Sequence, residues 1–194
     1  MSSKIGKLVV ISGPSGTGKG TIIARLMERC PEIVFSVSAT TRAPREGEKE
    51  GLSYYFITRE RFREMISQDE FLEYAEYVGE YYGTPKKPIY DCIEKGKDVL
   101  LDIEVKGARQ VMEKEPKALT IFIVPPDMQE LERRLRGRGT DCEEKLAARL
   151  ERARSELVEQ AHYGHVVIND TVDRAVEEIL SILETQCFSE RALP

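Results

Sequence analysis

A glycine-rich segment near the beginning of the chain carries the residue types that bind phosphate. Residues 13–19 read Gly-Pro-Ser-Gly-Thr-Gly-Lys, and a short apolar run, Leu8–Ile11, precedes them. The glycines let successive backbone N–H groups turn toward one point, and the helix expected to follow directs its positive end there. At this spacing Lys19 is expected to reach the β- and γ-phosphates of a nucleoside triphosphate. The segment therefore predicts phosphoryl transfer, with an ordinary glycine turn between a strand and a helix as the alternative.

One position of this loop departs from the usual pattern. Gly20 stands where a serine or threonine normally offers a hydroxyl to magnesium, and Thr21 follows it. Either Thr21 supplies the hydroxyl from one residue further on, or water and phosphate hold most of the metal, as is common for magnesium. The sequence thus predicts Mg²⁺ with the nucleotide and leaves both arrangements open.

Two arginines and two tyrosines suggest a second phosphate site. Arg42 and Arg45 lie in a hydroxyl-rich segment that follows a predicted strand, and the arginine fork matches phosphate oxygens. Exposed arginines are usually solvated charge, which is the alternative here. Tyr54 and Tyr82 favour the phosphate site because phenol hydroxyls also bind phosphate, and ligands of open α/β sheets gather where core strands end.

A carboxylate ends another apolar run. Asp102 follows Val99–Leu101, which is the position where phosphate-loop enzymes place a carboxylate near magnesium. A helix cap or a surface charge at the end of the strand is the alternative.

The elements that must position these residues alternate between strands and helices. A helix is predicted over Thr21–Cys30, where Pro31 ends it. The predicted core strands are Leu8–Ser12, Val34–Val37, Val99–Ile103, Leu119–Val124 and Val166–Ile168. Strands that alternate with helices imply right-handed crossovers and a sheet covered on both faces. The fold class is therefore predicted to be α/β, a P-loop three-layer α/β/α architecture with a parallel core sheet.

Two regions interrupt this alternation. Residues 38–95 are rich in polar, aromatic and turn residues and predict an inserted lobe with a small mixed sheet. Its predicted elements are a strand over Leu52–Ile57, a helix over Arg59–Ser67 and a hairpin over Glu76–Tyr82. Arginines crowd Leu131–Arg154, where Thr140 and Glu143 suggest a capping box for a second helix. The predicted domains are a core of residues 1–37, 96–136 and 155–194, the lobe 38–95 and a helical lid 137–154, with lobe and lid expected to close over the ligands.

Length and composition limit the class of protein. The chain has 194 residues, of which 41% are hydrophobic, and a net charge of −5; this predicts one core with insertions and argues against a nucleic-acid partner. It contains no long apolar run and no signal-peptide pattern, so no membrane partner is expected. The four cysteines are scattered, which favours reduced thiols and a cytoplasmic location. We expect a monomer or a small homo-oligomer.

The combined pattern resembles the guanylate kinase family over nearly the whole chain. The motifs that carry the resemblance are Gly-Pro-Ser-Gly-Thr-Gly-Lys (13–19), Ser-Val-Ser-Ala-Thr-Thr-Arg-Ala-Pro-Arg-Glu-Gly-Glu (36–48), Phe-Leu-Glu-Tyr-Ala (71–75), Tyr-Tyr-Gly-Thr (81–84), Leu-Asp-Ile-Glu-Val-Lys-Gly-Ala (101–108), Arg-Leu-Arg-Gly-Arg-Gly-Thr (134–140) and Val-Ile-Asn-Asp (167–170). The second motif, in its order after the first, makes the resemblance specific, because a phosphate loop alone occurs in many nucleotide enzymes.

The resemblance implies that ATP gives its γ-phosphoryl group to GMP by direct in-line transfer, forming ADP and GDP with Mg²⁺ in purine nucleotide metabolism. It makes residues 38–95 a GMP-binding lobe, in which the phosphate contacts are Arg42, Arg45, Tyr54 and Tyr82 and the guanine contacts are Ser38, Glu73, Thr84 and Glu104. Guanine offers N1–H and N2–H₂ donors to a carboxylate, whereas adenine offers no such pair, so Glu73 disfavours AMP. Deoxy-GMP is an expected second substrate because contacts to guanine do not reach the 2′ position.

On the donor side the resemblance implies contacts from the loop, the lid and the end of a late strand. The implied ATP-binding residues are Gly13, Pro14, Ser15, Gly16, Thr17, Gly18, Lys19, Gly20, Thr21, Arg134 and Asn169, with Asp170 next to the last. The implied catalytic residues are the cations Lys19, Arg42, Arg138 and Arg149. Thr21 and Asp102 are the expected metal-site residues, acting through water.

Two further positions depart from the family pattern. Lys106 stands where glutamine is frequent, and Glu104 stands where aspartate is common; the longer side chain keeps its charge but can alter the fit around guanine. The alternative function is a catalytically silent guanylate kinase-like module that binds a phosphorylated ligand. Such modules usually have degraded phosphate loops, whereas Lys19 is intact here.

Overall fold

Two separate sheets organise the computed structural model, which describes residues 5–137 and 142–189. The five-stranded sheet has the order β2-β7-β1-β8-β9, and its pairs β2–β7 and β8–β9 are parallel. Its strands are β1 (Leu8–Ser12), β2 (Val34–Phe35), β7 (Val99–Asp102), β8 (Leu119–Val124) and β9 (His165–Ile168). All five residues of the central strand β1 are buried, as expected for a parallel strand with both faces covered.

Helices follow most of these strands along the chain. They are α1 (Lys19–Arg29), α3 (Lys86–Glu94), α4 (Val105–Lys114), α5 (Met128–Arg136), α6 (Glu143–Leu157) and α7 (Val172–Ser189), with a 3₁₀ helix at Val158–His162. The α-helices bury apolar side chains, for example Ile22, Ile23 and Leu26 of α1, which is how an amphipathic helix attaches to a core. None of the helices in the described ranges has the length and hydropathy to cross a membrane.

The second sheet has four strands in the order β4-β3-β6-β5. Its elements are β3 (Ala39–Thr40), β4 (Tyr55–Phe56), β5 (Phe71–Tyr77), β6 (Glu80–Pro85) and the helix α2 (Arg59–Ser67). The sheet is mixed, because β3 pairs with β4 in parallel and with β6 antiparallel, and β5–β6 is an antiparallel hairpin. Phe62 of α2 stacks on Phe71 with ring centroids 4.4 Å apart, and this cluster joins the helix to the sheet.

The chain forms two compact units. One consists of Met1–Val10 with Glu32–Leu119 and includes the four-stranded sheet; the other consists of Ile11–Pro31 with Thr120–Pro194 and includes the glycine-rich loop.

Several predicted elements are confirmed, and others differ at their ends. Leu8–Ser12, Leu119–Val124 and Arg59–Ser67 have the predicted bounds. The strand expected over Leu52–Ile57 shortens to Tyr55–Phe56, because the residues before it form turns in which the Leu52 N–H donates to Lys49 O at 3.2 Å.

The predicted capping box is wrong. Helix α6 begins at Glu143 with Cys142 as its N-cap, and no side chain caps it. Glu143 is therefore the first residue of the helix rather than the third, and Thr140 lies outside the described residues.

Candidate active site

The glycine-rich loop joins β1 to α1 through a residue that only glycine occupies without strain. Gly18 is the N-cap of α1 and has a left-handed backbone with φ 87°, a region that L-residues with a side chain rarely adopt. A Cβ built on it would lie 2.4 Å from Asn169 Nδ2. The N–H groups of Thr21 and Ile22 donate to Gly18 O at 3.1 and 3.2 Å, so the loop passes directly into the helix.

Two side chains from distant parts of the sequence hold this loop. Asn169 Nδ2 donates to Thr17 O at 2.7 Å, and Arg134 donates from one guanidinium nitrogen to Thr17 O at 3.1 Å and from the other to Asn169 O at 2.8 Å. Both lie in the same unit as the loop. Two predicted ATP-binding residues therefore contact the loop backbone itself.

A carboxylate orients Arg134. Glu130 Oε1 accepts from Arg134 Nε at 2.6 Å, and Glu130 also accepts two hydrogen bonds from Arg133. These two guanidinium groups lower the pKa of Glu130 to about 2, because hydrogen bonds and positive charge favour the ionised form. Glu130 thus remains charged and keeps the Arg134 fork directed at Thr17 O.

Three further residues of the loop region lie at the start of α1. Lys19 is the first residue of α1 and is partly exposed, whereas Thr21 is exposed one position beyond Gly20. A Cβ added to Gly20 would meet nothing within 4 Å. A hydroxyl is therefore present in the first helical turn at Thr21, and the space beside Gly20 is open.

The four-stranded sheet and its loops bring together the residues predicted for the second phosphate site. The Arg42 guanidinium lies over the Tyr54 ring at 5.5 Å, and the Tyr54 and Tyr82 rings meet edge to face with centroids 6.1 Å apart. Burial raises the pKa of Tyr54, and the neighbouring Tyr82 adds to the effect. Tyr54 therefore keeps its phenol proton at neutral pH and acts as a hydrogen-bond donor.

Glu48, whose position in the sequence alone does not single it out, holds both arginines of this site. Its carboxylate accepts from an Arg42 guanidinium nitrogen at 2.8 Å and from the Arg45 backbone N–H at 2.7 Å. The hydrogen bond between the Glu48 and Arg42 side chains is the main cause of two shifts: it lowers the pKa of Glu48 and raises the pKa of Arg42. The sequence offers one signal for Glu48, its place as the last residue of the motif 36–48. That signal does not say which residues the carboxylate contacts.

A buried carboxylate lies on the same sheet. Glu73 of β5 is 7% exposed and accepts from Thr84 Oγ1 of β6 at 2.5 Å, because the hairpin register pairs these two residues directly. Burial raises the pKa of Glu73; Thr84 and the charge of Lys114 oppose this shift, and the charge of Glu104 adds to it. A buried carboxylate with one satisfied oxygen is suited to accept further hydrogen bonds from a ligand.

The other predicted residues lie at identifiable places. Glu104 is the N-cap of α4 and is exposed, and Asp102 ends β7 partly exposed. Ser38 precedes β3, and its carbonyl accepts from Tyr55 N at 2.9 Å. Arg149 lies on α6 and is partly buried. Arg138 lies outside the described residues.

Within residues 5–137 and 142–189 no group of three or more histidine, cysteine, aspartate or glutamate side chains has the arrangement of a metal site. Cys92 and Cys142, which lie in these ranges, are free thiols.

Comparison with known proteins finds one family repeatedly. A family model described as guanylate kinase matches residues 5–186. The chain is 51% identical over 179 residues to a guanylate kinase of Prochlorococcus marinus subsp. pastoris, covering 92% of this chain and 97% of the relative. It is 49% identical over 178 residues to a guanylate kinase of Synechococcus sp. (strain JA-3-3Ab), covering 92% and 82%. The crystal structure of guanylate kinase from Anaplasma phagocytophilum matches with a TM-score of 0.74 at 38% identity, covering 94% of this chain and 87% of that one.

Proposed function

The chain belongs to the guanylate kinase family, and on that premise we propose how its residues transfer the γ-phosphoryl group of ATP to GMP. The family, the enzyme class and the α/β fold predicted from the sequence are confirmed. One observation carries the residue assignment. The four-stranded sheet and its loops hold an arginine with two tyrosines, suited to phosphate, together with a buried carboxylate suited to a purine edge.

For the acceptor phosphate we assign Arg42, Arg45, Tyr54 and Tyr82. The Arg42 guanidinium is oriented before substrate binds, because Glu48 holds it against the Tyr54 ring. An arginine fork and phenol donors match the oxygens of a phosphate group. Preorganised donors of this kind reduce the entropy lost when the substrate becomes ordered.

For guanine we assign Glu73 and Thr84, with Ser38 and Glu104 beside them. Thr84 occupies one Glu73 oxygen, and the guanine N1–H and N2–H₂ groups would supply the further donors that a buried carboxylate requires. These hydrogen bonds favour the ionised form, so guanine binding lowers the raised pKa of Glu73. Adenine lacks this pair of donors, which makes the site selective against AMP.

For the donor we assign the ATP phosphates to residues 13–21, with Lys19 at the β- and γ-phosphates. Arg134 and Asn169 support this assignment because each donates a hydrogen bond to Thr17 O and so holds the loop in shape. Arg138 and Arg149 are assigned, with residues 137–154 as the lid, to the transferring phosphoryl group.

Two oxygen-bearing side chains are suited to magnesium. Mg²⁺ usually keeps several waters and binds through one or two protein oxygens plus substrate phosphates. The exposed Thr21 hydroxyl and the partly exposed Asp102 carboxylate are such oxygens, and we assign both to the ion through water. When bound, the ion neutralises phosphate charge.

Transfer then needs alignment and neutralisation more than covalent help from the protein. A GMP phosphate oxygen is already anionic at neutral pH, so it attacks the γ-phosphorus without a general base. The new O–P bond of GDP forms as the β,γ-bridging bond breaks and ADP leaves. Lys19, Arg42, Arg138 and Arg149 offset the mutual repulsion of the two anionic substrates.

We further propose that the enzyme acts in purine nucleotide metabolism in the cytoplasm. It is a monomer or a small homo-oligomer, and deoxy-GMP is its second substrate. The free thiols at Cys92 and Cys142 support the cytoplasmic location. Residues 38–95 are the proposed GMP-binding lobe, and no observation favours a catalytically silent module.

A coupled assay with ATP and each of GMP, deoxy-GMP, IMP and AMP tests the assignment on wild type, Lys19→Ala and Lys117→Ala. GMP is expected to be the best acceptor. Lys19→Ala should lose at least about two orders of magnitude in kcat with little change in thermal unfolding, because this side chain is partly exposed. Lys117, an exposed lysine without an assigned role, is the control. Wild-type turnover in Lys19→Ala would refute the proposed donor site.

A further inference from the structure

Helix α4 lies along β5, the edge strand that carries the buried carboxylate Glu73. In an antiparallel pair, every second residue of an edge strand points its N–H and C=O away from its partner strand. Tyr74, the residue after Glu73, points both groups toward α4. Its N–H donates to Gln110 Oε1 at 3.2 Å, and Gln110 Nε2 donates to its carbonyl at 3.0 Å. The Gln110 amide therefore takes the place of a neighbouring strand at this position.

A second contact fixes the strand on the other side of Glu73. Lys114 Nζ donates to Phe71 O at 3.0 Å. Residues 71 and 74 bracket the carboxylate along the chain, and both are bonded to the same helix. Two hydrogen bonds to the N–H and C=O of one residue resist both sliding and rotation of the strand, whereas a single bond resists neither fully.

Helix α4 also contacts the carboxylate itself. A Cβ built on Gly107 would lie 2.6 Å from Glu73 Oε2 and 3.1 Å from its carboxyl carbon. The carboxylate thus occupies the space that any larger residue at position 107 would take. Residues 107, 110 and 114 are spaced by three and four, which places them on one face of the helix.

We propose that Gln110 and Gly107 are positioning residues for guanine recognition. Gln110 sets the position of β5 beside Glu73, and Gly107 leaves room for the Glu73 carboxylate to lie against α4 in the orientation that accepts from guanine. This inference rests on the proposed guanine-reading role of Glu73. Hydrogen bonds weaken steeply outside a narrow range of distance and angle, so a displaced carboxylate loses guanine donors while Thr84 alone remains bonded to it.

The preference for GMP over IMP measures this orientation, because IMP keeps the N1–H donor of guanine and lacks the 2-amino group. The variants are Gln110→Met, which keeps side-chain length without hydrogen bonds, and Gln110→Glu, which still accepts from Tyr74 N but cannot donate to Tyr74 O. Gly107→Ala is the third variant, and alanine at a helical position normally stabilises a helix relative to glycine. Glu113→Met, an exposed position of the same helix, is the matched control.

The readouts are kcat/KM for GMP and for IMP, KM for ATP, and thermal unfolding. Gln110→Met and Gly107→Ala should each lower the GMP-to-IMP ratio of kcat/KM about tenfold, Gln110→Glu by less, and Glu113→Met not at all. KM for ATP should stay within about twofold of wild type. A merely structural role would lower stability and affect both nucleotides equally.

A parallel measurement on Glu73→Gln separates two kinds of failure. If Glu73→Gln lowers the ratio but Gln110→Met and Gly107→Ala keep it within about twofold of wild type, the positioning role is overturned and the guanine-reading role stands. If Glu73→Gln itself leaves the ratio unchanged, the guanine-reading role fails, and the positioning role fails with it.

Discussion

Substitution of Gly18 by alanine tests the account of the phosphate loop most directly. The new residue must keep a left-handed backbone at φ 87°, which costs a residue with a side chain about 1–2 kcal/mol. Its methyl group would also lie 2.4 Å from Asn169 Nδ2. The Asn169 amide must therefore leave its 2.7 Å hydrogen bond to Thr17 O.

The two effects add. Asn169 is 2% exposed, and an unsatisfied buried polar group costs about 1–3 kcal/mol. Together with the backbone cost, Gly18→Ala should destabilise the protein by about 2–5 kcal/mol. For a chain of 194 residues this corresponds to a fall of about 4–20 °C in Tm.

Gly20→Ala provides a control with the same chemical change two residues away. Gly20 is the second residue of α1, and an added Cβ meets nothing within 4 Å. Alanine is favoured over glycine in a helix, by up to about 1 kcal/mol in its interior. The two substitutions should therefore change stability in opposite directions.

The assay is thermal unfolding without nucleotide, with urea unfolding as a check on the free energy. Gly18→Ala should unfold at lower temperature than wild type and Gly20→Ala at a slightly higher one. KM for ATP should rise in Gly18→Ala, because the loop N–H groups lose their alignment. Equal stability of the two variants would refute the reasoning, since the backbone conformation and the Asn169 contact are the differences on which it depends.

Two further predictions concern the acceptor site. Burial raises the pKa of Glu73 above its ordinary value near 4.5, so the native state keeps a proton that the unfolded chain releases as the pH rises from that value to the folded pKa. Over this window the free energy of unfolding should fall relative to Glu73→Gln and then level off, as measured by urea unfolding from about pH 4 to about pH 8; parallel curves would contradict the raised pKa. Glu48→Ala removes the carboxylate that holds Arg42 and the Arg45 N–H, and KM for GMP should rise roughly tenfold with KM for ATP unchanged. Glu46→Ala, an exposed acid in the same loop, is the control, and an equal effect of both substitutions would exclude a specific role for Glu48.

Hydrophobic periodicity and local motifs correctly predicted the helices and strands whose signal lies within a short stretch of chain. The run Leu8–Ser12 is a buried strand and Arg59–Ser67 is a helix, both with the predicted bounds. The predictions failed where tertiary pairing decides the end of an element. Strand β5 extends over Phe71–Tyr77 and β6 over Glu80–Pro85, well beyond the predicted Glu76–Tyr82, because pairing across the hairpin orders residues whose own propensity is ambiguous.

The residues of the candidate site also fall into those that the sequence predicts and those that only the fold reveals. Lys19 and Arg42 were predicted from their types and spacing and Glu73 from its motif, since the chemistry of a side chain is a property of the residue and its neighbours in the chain. Glu48 and Gln110 were missed, because a carboxylate and an amide have many possible partners and only the fold selects one.

The sequence by itself determined which chemical groups this protein carries: a glycine-rich loop with its lysine, arginines with phenols, and a carboxylate in the motif of residues 71–75. Only the tertiary structure decided what orients these groups. Thr17 O meets Arg134 and Asn169, and Tyr74 meets Gln110, across separations of up to 152 residues. The physical reason is that a hydrogen bond depends on distance and angle in space, and spacing along the chain fixes these only within a single helix, hairpin or turn.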